Sequence, residues 1–406
     1  MINKLSVVAI FAISSLYAGD IQLSTDVLKK SNSDDLLTAN AQVRFGYIGY
    51  TYDNNYKAED FASALGGQVK VETKEWNGVK LGASFYTSHL IRDLSGDVVD
   101  ETRNYELTGE ENSYNIISEA YIAYKVENFT FKVGRQLLDT PYADSDDIRM
   151  TPNTFEGAIA TYEMGNFTFI GAYLTRWQGA DADSYEFVDL LGEDANGLSI
   201  LATTFANDYL EATLWYYGAD KTADVIYADI IGTYILGKGI ELKGGLQYAN
   251  QSEKNNSGIG GTLYGATAEA TFSGLSLVAS YNSLDVDSGK EYFGGFGGGV
   301  GFVNMDEMTA GTFTISQSGR GFKVGVAYDF SQLGVNDLSL SYDYGNFKGD
   351  IIHEANEQNL VLSYANSSTW NAELIYTVLE DVNSDFGDNS SDGGFTRVLT
   401  RVNYNF

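Results

Sequence analysis

From residue 42 to the end of the chain, apolar and polar positions alternate, and a period of two sets successive side chains on opposite faces of a β-strand. Val79, Leu81, Ala83 and Phe85 share one face; Lys80, Gly82, Ser84 and Tyr86 share the other. Phe322, Val324, Val326 and Tyr328 stand likewise against Lys323, Gly325, Ala327 and Asp329, and Trp370, Ala372, Leu374, Tyr376 and Val378 against Asn371, Glu373, Ile375 and Thr377. The pattern predicts strands over 42–52, 61–75, 79–89, 115–126, 129–136, 156–163, 167–177, 198–206 and 209–218. It continues over 224–236, 240–250, 260–272, 275–283, 321–330, 338–347, 357–366, 369–380 and 395–406, which makes eighteen.

The connectors differ in length. Those at 76–78, 127–128, 165–166, 207–208, 237–239, 273–274 and 367–368 are short, whereas 90–114, 137–155, 178–197, 284–320 and 381–394 are long. Short turns on one rim, long loops on the other and an even strand number describe an all-β transmembrane antiparallel barrel with periplasmic turns and extracellular loops. A soluble sandwich has no cause for that asymmetry. Phe129, Phe167, Tyr209 and Tyr404 at strand ends would supply aromatic girdles.

Composition agrees and removes other classes. With 29 Tyr, 22 Phe and 44 Gly against 2 Pro, the chain favours strands and tight turns. Past the N-terminus no apolar run approaches the ~18 residues of a spanning helix. The absence of Cys excludes disulfides and thiol chemistry, and His89 and His353 stand isolated with no serine in a nucleophile motif, so no enzyme is expected. A net charge of −30 excludes nucleic acid as a partner. Residues 1–18, with Lys4, an apolar core and Ala18, read as a signal peptide, the competing reading being a short membrane anchor. Residues 19–41 then form a periplasmic lead-in and 42–406 the barrel.

One segment breaks the pattern. Residues 132–157 hold both prolines, Pro141 and Pro152, together with Arg135, Asp144, Asp146, Asp147, Arg149 and Glu156. This segment is expected to fold inward, with 137–155 as a constriction whose mixed charges make a filter or a latch. If Arg149 pairs with the barrel wall, the aspartates govern passage. Turning the apolar faces outward puts Arg44, Lys80, Lys132, Arg176, Lys243, Lys323, Arg397 and Arg401 in the lumen as a basic track. Glu119, Glu211, Glu241, Glu269, Asp329, Asp343 and Glu373 fall on the same side, so cross-strand pairing is the competing reading.

The loops 178–197 and 380–394 are acidic without Lys or Arg, a composition that concentrates cations. No cofactor is expected; structural Ca²⁺ is the one ion these loops suit, although they lack EF-hand spacing. The run FGGFGGGVGF at 293–302 lacks the Lys-Ser/Thr of a phosphate-cradling loop and reads as a flexible or packed extracellular segment.

Three stretches carry a family resemblance: VRFGYI at 43–48, GGQVKVETKEWNGVKLGASFYTSH at 66–89, and VGRQ…TP…DIRM-PNTFEG across 133–157, the last being the specific one. They resemble the OprD-type outer-membrane porins, in particular those of campylobacter-like bacteria. The resemblance implies an eighteen-stranded monomer or homotrimer in the bacterial outer membrane that passes small hydrophilic solutes and ions passively, with the third extracellular loop as constriction. It implies either carboxylate preference along a basic track, here Lys132, Arg135, Arg397 and Arg401, or the cation preference and calcium binding of related major porins. Outer-membrane lipid, lipopolysaccharide and a barrel-assembly machinery that reads the terminal aromatic, here Phe406, are the implied partners. Two readings compete: a structural or adhesive barrel with calcium-binding loops, and a secreted all-β calcium-binding protein.

Overall fold

Period-two segments exposed to lipid on one face and water on the other can satisfy their backbone groups only by closing on themselves, and this chain does so. The computed structural model describes residues 36–53, 59–237, 239–309, 317–350, 354–365, 369–382 and 394–406. The expected signal peptide, most of the lead-in, His353 and 383–393 of the last acidic loop lie outside the described residues.

The chain begins with β1 (Leu37–Tyr52), β2 (Asp60–Thr73), β3 (Val79–Leu90), β4 (Ser113–Val126), β5 (Phe129–Gln136), β6 (Asp139–Thr140) and β7 (Ala143–Asp144). It continues with β8 (Thr154–Met164), β9 (Phe167–Gly179), β10 (Ser184–Asp189), β11 (Leu198–Ala206), β12 (Leu210–Ala219), β13 (Ala223–Leu236) and β14 (Ile240–Glu253). The last are β15 (Gly261–Phe272), β16 (Leu275–Val286), β17 (Gly319–Asp329), β18 (Leu338–Gly349), β19 (Glu354–Ala365), β20 (Trp370–Asp381) and β21 (Phe395–Asn405). Nineteen form one sheet, and β6 and β7 form a separate hairpin. Leaving aside short β10, which extends the edge of β9, eighteen strands make the wall.

Closure is direct. Phe45 of β1 faces Leu65 of β2 on one side and Val402 of β21 on the other. The wall starts earlier than expected: β1 begins at Leu37, so 37–41 belong to the barrel, Ala39 and Ala41 pairing with Val71 and Val69. Backbone pairing to β2 continues there after the apolar signal has faded.

Burial is inverted relative to a soluble protein. On β16, Leu277 and Tyr281 are exposed while Ser276, Ser280 and Asn282 are buried, because the outside faces lipid. Trp370, Tyr404 and Phe406 form a ring cluster at the short-turn rim, with successive centroids 4.7 Å apart. Two of the tight turns place consecutive residues at positive φ, Asn77–Gly78 and Ser273–Gly274, which matches the right-handed twist of the flanking strands.

Two of the outer loops meet inside the lumen. The third, between β5 and β8, runs beside the seventh, between β16 and β17: the Asp144 amide donates to the Phe296 carbonyl and the Phe296 amide to the Tyr142 carbonyl, both at 2.9 Å. Of the two readings of 293–302, flexible or packed, the packed one holds, and the packing lies inside the lumen. Its glycines permit the approach: Gly297 has φ +84°, and a Cβ there would lie 2.4 Å from the Asp144 carbonyl oxygen. Tyr142, Phe296, Val300 and Val303 then pack with Trp215, Tyr217 and Tyr227 of the wall in one apolar core. The lumen is therefore filled on the β11–β16 side.

Candidate functional site: the lumen constriction

Inward positions on the closing strands hold the third loop. Arg44 of β1 donates to both Asp147 carboxylate oxygens at 2.6 and 2.7 Å, to the Asn403 side chain at 2.6 Å and to the Arg149 carbonyl at 3.0 Å. Arg401 of β21 donates to the Asp147 carbonyl and pairs with Glu373 at 2.5 Å. Such bidentate, charge-assisted bonds fix geometry as well as adding energy. Arg149 turns the other way and pairs with Glu106 of the second outer loop at 2.5 Å. The expected partner on the barrel wall is thus replaced by a neighbouring loop.

The seventh loop is fastened likewise. Arg397, fully buried on β21, pairs with Asp306 and Glu307. Thr377 donates to Asp306 at 2.7 Å, the amides of Glu307 and Met308 donate to Glu357 at 3.0 and 2.7 Å, and Lys323 donates to the Asn304 carbonyl at 2.9 Å. Tyr142 and Tyr292 join the two loops hydroxyl to hydroxyl at 2.6 Å. Asp306 and Glu307 were not foreseen from sequence; their signal was an acidic pair following the glycine run in a long loop.

A cavity of about 560 Å³ opens on the β17–β1 side. It is bordered by the carboxylates of Asp144, Asp146, Asp147, Asp306, Asp343 and Glu373 and by only three cations, Arg44, Lys323 and Arg401. Asp147 would be raised by burial, but Arg44 and Arg401 hold it below the ordinary carboxylate range. Asp146 makes no ion pair among the described residues: burial, then Asp181 and Asp147, outweigh the pull of Arg401 and Arg149 and push it up to about 7. Burial, Asp146 and Asp139 push Asp144 up to about 8. Among the described residues no group of three or more His, Asp or Glu is placed to hold a metal ion.

The other expected site residues divide. Lys80 pairs with Glu72 at 2.8 Å, Lys243 with Glu241 at 3.4 Å, and Lys132 lies 3.9 Å from the Tyr121 ring centroid, all at inward positions. Arg135, Glu156 and Arg176 are corrections. Arg135 is in phase with the exposed Phe131 and Val133, so it and its partner Glu156, at 3.1 Å, lie on the outward face. Arg176 starts in phase with inward Leu174, but a bulge sets Leu174 opposite Gly157 and Arg176 opposite Glu156, which flips the face. Trp177 turns into the lumen against Phe296, at 5.3 Å between centroids, and Arg176 reaches Asp189 of β10.

A closed eighteen-stranded wall with an apolar exterior, a polar interior and inward loops defines a bacterial outer-membrane porin, a channel rather than an enzyme. The family model for outer membrane porins of the OprD family matches residues 101–382, more than half of the chain, and the chain belongs to that family. Solved structures agree on the fold. A BenF-like porin from Pseudomonas fluorescens Pf-5 superposes with a TM-score of 0.75 at 17% identity, over 91% of this chain and 98% of that one. OccAB4 of Acinetobacter baumannii gives 0.75 at 15% identity, over 92% and 99%. The outer membrane protein opdK of Pseudomonas aeruginosa gives 0.72 at 16% identity, over 91% and 98%. Among curated protein sequences none matches the chain.

Proposed function

We propose that this porin passes small hydrophilic solutes and ions with a preference for cations set where the third and seventh loops meet. The observation that carries this reading is the engagement of the arginines. Arg44 and Arg397 hold loop carboxylates and Arg401 holds the wall carboxylate of Glu373 and the Asp147 carbonyl, whereas the Asp146 carboxylate has no hydrogen bond or ion pair among the described residues. In a narrow passage of low dielectric, uncompensated charge acts strongly on a passing ion. The basic residues therefore serve as anchors and not as an anion track. The exposed apolar belt and its aromatic rim support insertion among outer-membrane lipid and lipopolysaccharide by a barrel-assembly machinery. The test is the reversal potential across a KCl gradient in a planar bilayer; a potential of the sign for chloride preference refutes the reading.

A further inference from the structure

Asp147 sits where a solute anion would. Arg44 gives it two parallel bonds, Nη1 to Oδ1 at 2.6 Å and Nη2 to Oδ2 at 2.7 Å, and Arg401 stands 3.8 Å from the same carboxylate. A guanidinium takes up a free carboxylate with the same forked geometry. The other donors of the two arginines are turned elsewhere. Arg44 Nε donates to the Asn403 side chain at 2.6 Å and Nη1 also to the Arg149 carbonyl at 3.0 Å, while Arg401 Nη2 donates to Glu373 at 2.5 Å. Among the described residues no second carboxylate pairs with Arg44. Both partners border the cavity, but the Arg44 side chain is 5% exposed and that of Asp147 40%. The carboxylate is therefore the member of the pair that a passing ion meets.

A carboxylate carried on the third loop competes at an effective concentration that a dilute free anion does not reach. Taking away the Asp147 side chain thus does two things: it removes one negative charge, and it vacates a position of carboxylate size in front of two guanidinium groups. Taking away Asp146, which pairs with no cation among the described residues, does only the first. We propose that Asp147 is the specificity-determining residue against anions, a tethered carboxylate that fills the site built by Arg44 and Arg401 and so withholds it from anionic solutes. The inference rests on the cation-preferring reading above and names the side chain that excludes anions.

Reversal potentials across a KCl gradient test it, with formate, a free carboxylate of the size removed, substituted for equal amounts of chloride on both sides. Asp147→Ala is expected to lower the cation-to-anion permeability ratio by about fivefold, the weight of one unit charge met at ~4 Å through water. Rising formate is expected to restore the ratio along a saturating curve, because it refills the vacated position. The wild type, whose site is filled, should not answer formate in this way, and the Arg44→Gln, Asp147→Ala double variant should lose the response. A third loop that is merely loosened shifts the potential without any answer to formate. The conductance step in KCl reports that each variant has folded; if Asp147→Ala gives no step, Asp147→Ser, which vacates the same position, takes its place. Three results with a cation-preferring wild type overturn the inference and leave the selectivity reading standing: a variant that keeps the full ratio, one that loses it without answering formate, or a response that is the same in the wild type or in the double variant. A chloride-preferring wild type overturns both.

Discussion

Two neighbouring aspartates with opposite circumstances set the residue-scale expectations. Asp147 is bonded through both oxygens to Arg44 and stays ionised, whereas Asp146 and Asp144 face burial and other carboxylates. A carboxyl raised to about 7 or 8 is largely neutral below that pH and charged above it. Raising the pH from 6 to 9 therefore adds negative charge at the constriction, and the cation-to-chloride permeability ratio should rise. The Asp144→Asn, Asp146→Asn double variant should give a weaker pH dependence of the reversal potential than the wild type over that window, the remainder coming from Glu307, which burial also pushes up to about 8; a wild-type ratio that falls with pH contradicts this account. Asp146→Asn alone should lower the ratio at neutral pH more than Glu373→Gln, since Glu373 is offset by Arg401. The acidity of this stretch was legible in the sequence. Which aspartate is compensated was not, because Arg44 and Arg401 are remote in the chain and reach Asp147 only once β1 and β21 pair.

At the scale of the element, the constriction depends on two loops held by different strands. Removing the Arg397 side chain takes from Asp306 and Glu307 the cation that fastens them to β21. Arg397→Ala should therefore release the seventh loop and raise single-channel conductance and current noise, with no change in heat-modifiable migration of the barrel. Gly297→Ala should act through another route. It asks for a Cβ at φ +84° and 2.4 Å from the Asp144 carbonyl, so the bridge between Ala143 and Phe296 must open. Its expected signature is a wider, less selective pore, read as higher conductance with a reversal potential nearer zero. The third loop was recognisable from its prolines and charges, but the seventh was not. Glycine runs specify only that close approach is allowed, and what they approach lies far away in sequence.

For the whole molecule, the strand faces decide which charges a solute meets. Arg176→Ala and Arg135→Ala remove charges from the outward face and should leave the reversal potential unchanged, whereas Lys323→Ala, which removes a cation bordering the cavity, should increase cation preference. Equal shifts from all three would mean that the faces are wrongly placed. The local sequence determined the strands, their alternation and the rim with short turns, since each depends on contacts within a few residues: period-two patterning and turn chemistry. Tertiary structure alone decided three further things. The bulge beside Thr175 exchanged Arg176 for Trp177 in the lumen, a shift no periodic pattern registers. The seventh loop filled one side of the lumen by packing against β12 and β13. Arg44, Arg397 and Arg401 came to hold the inward loops, because closure of the barrel brings the loop carboxylates and carbonyls within their reach.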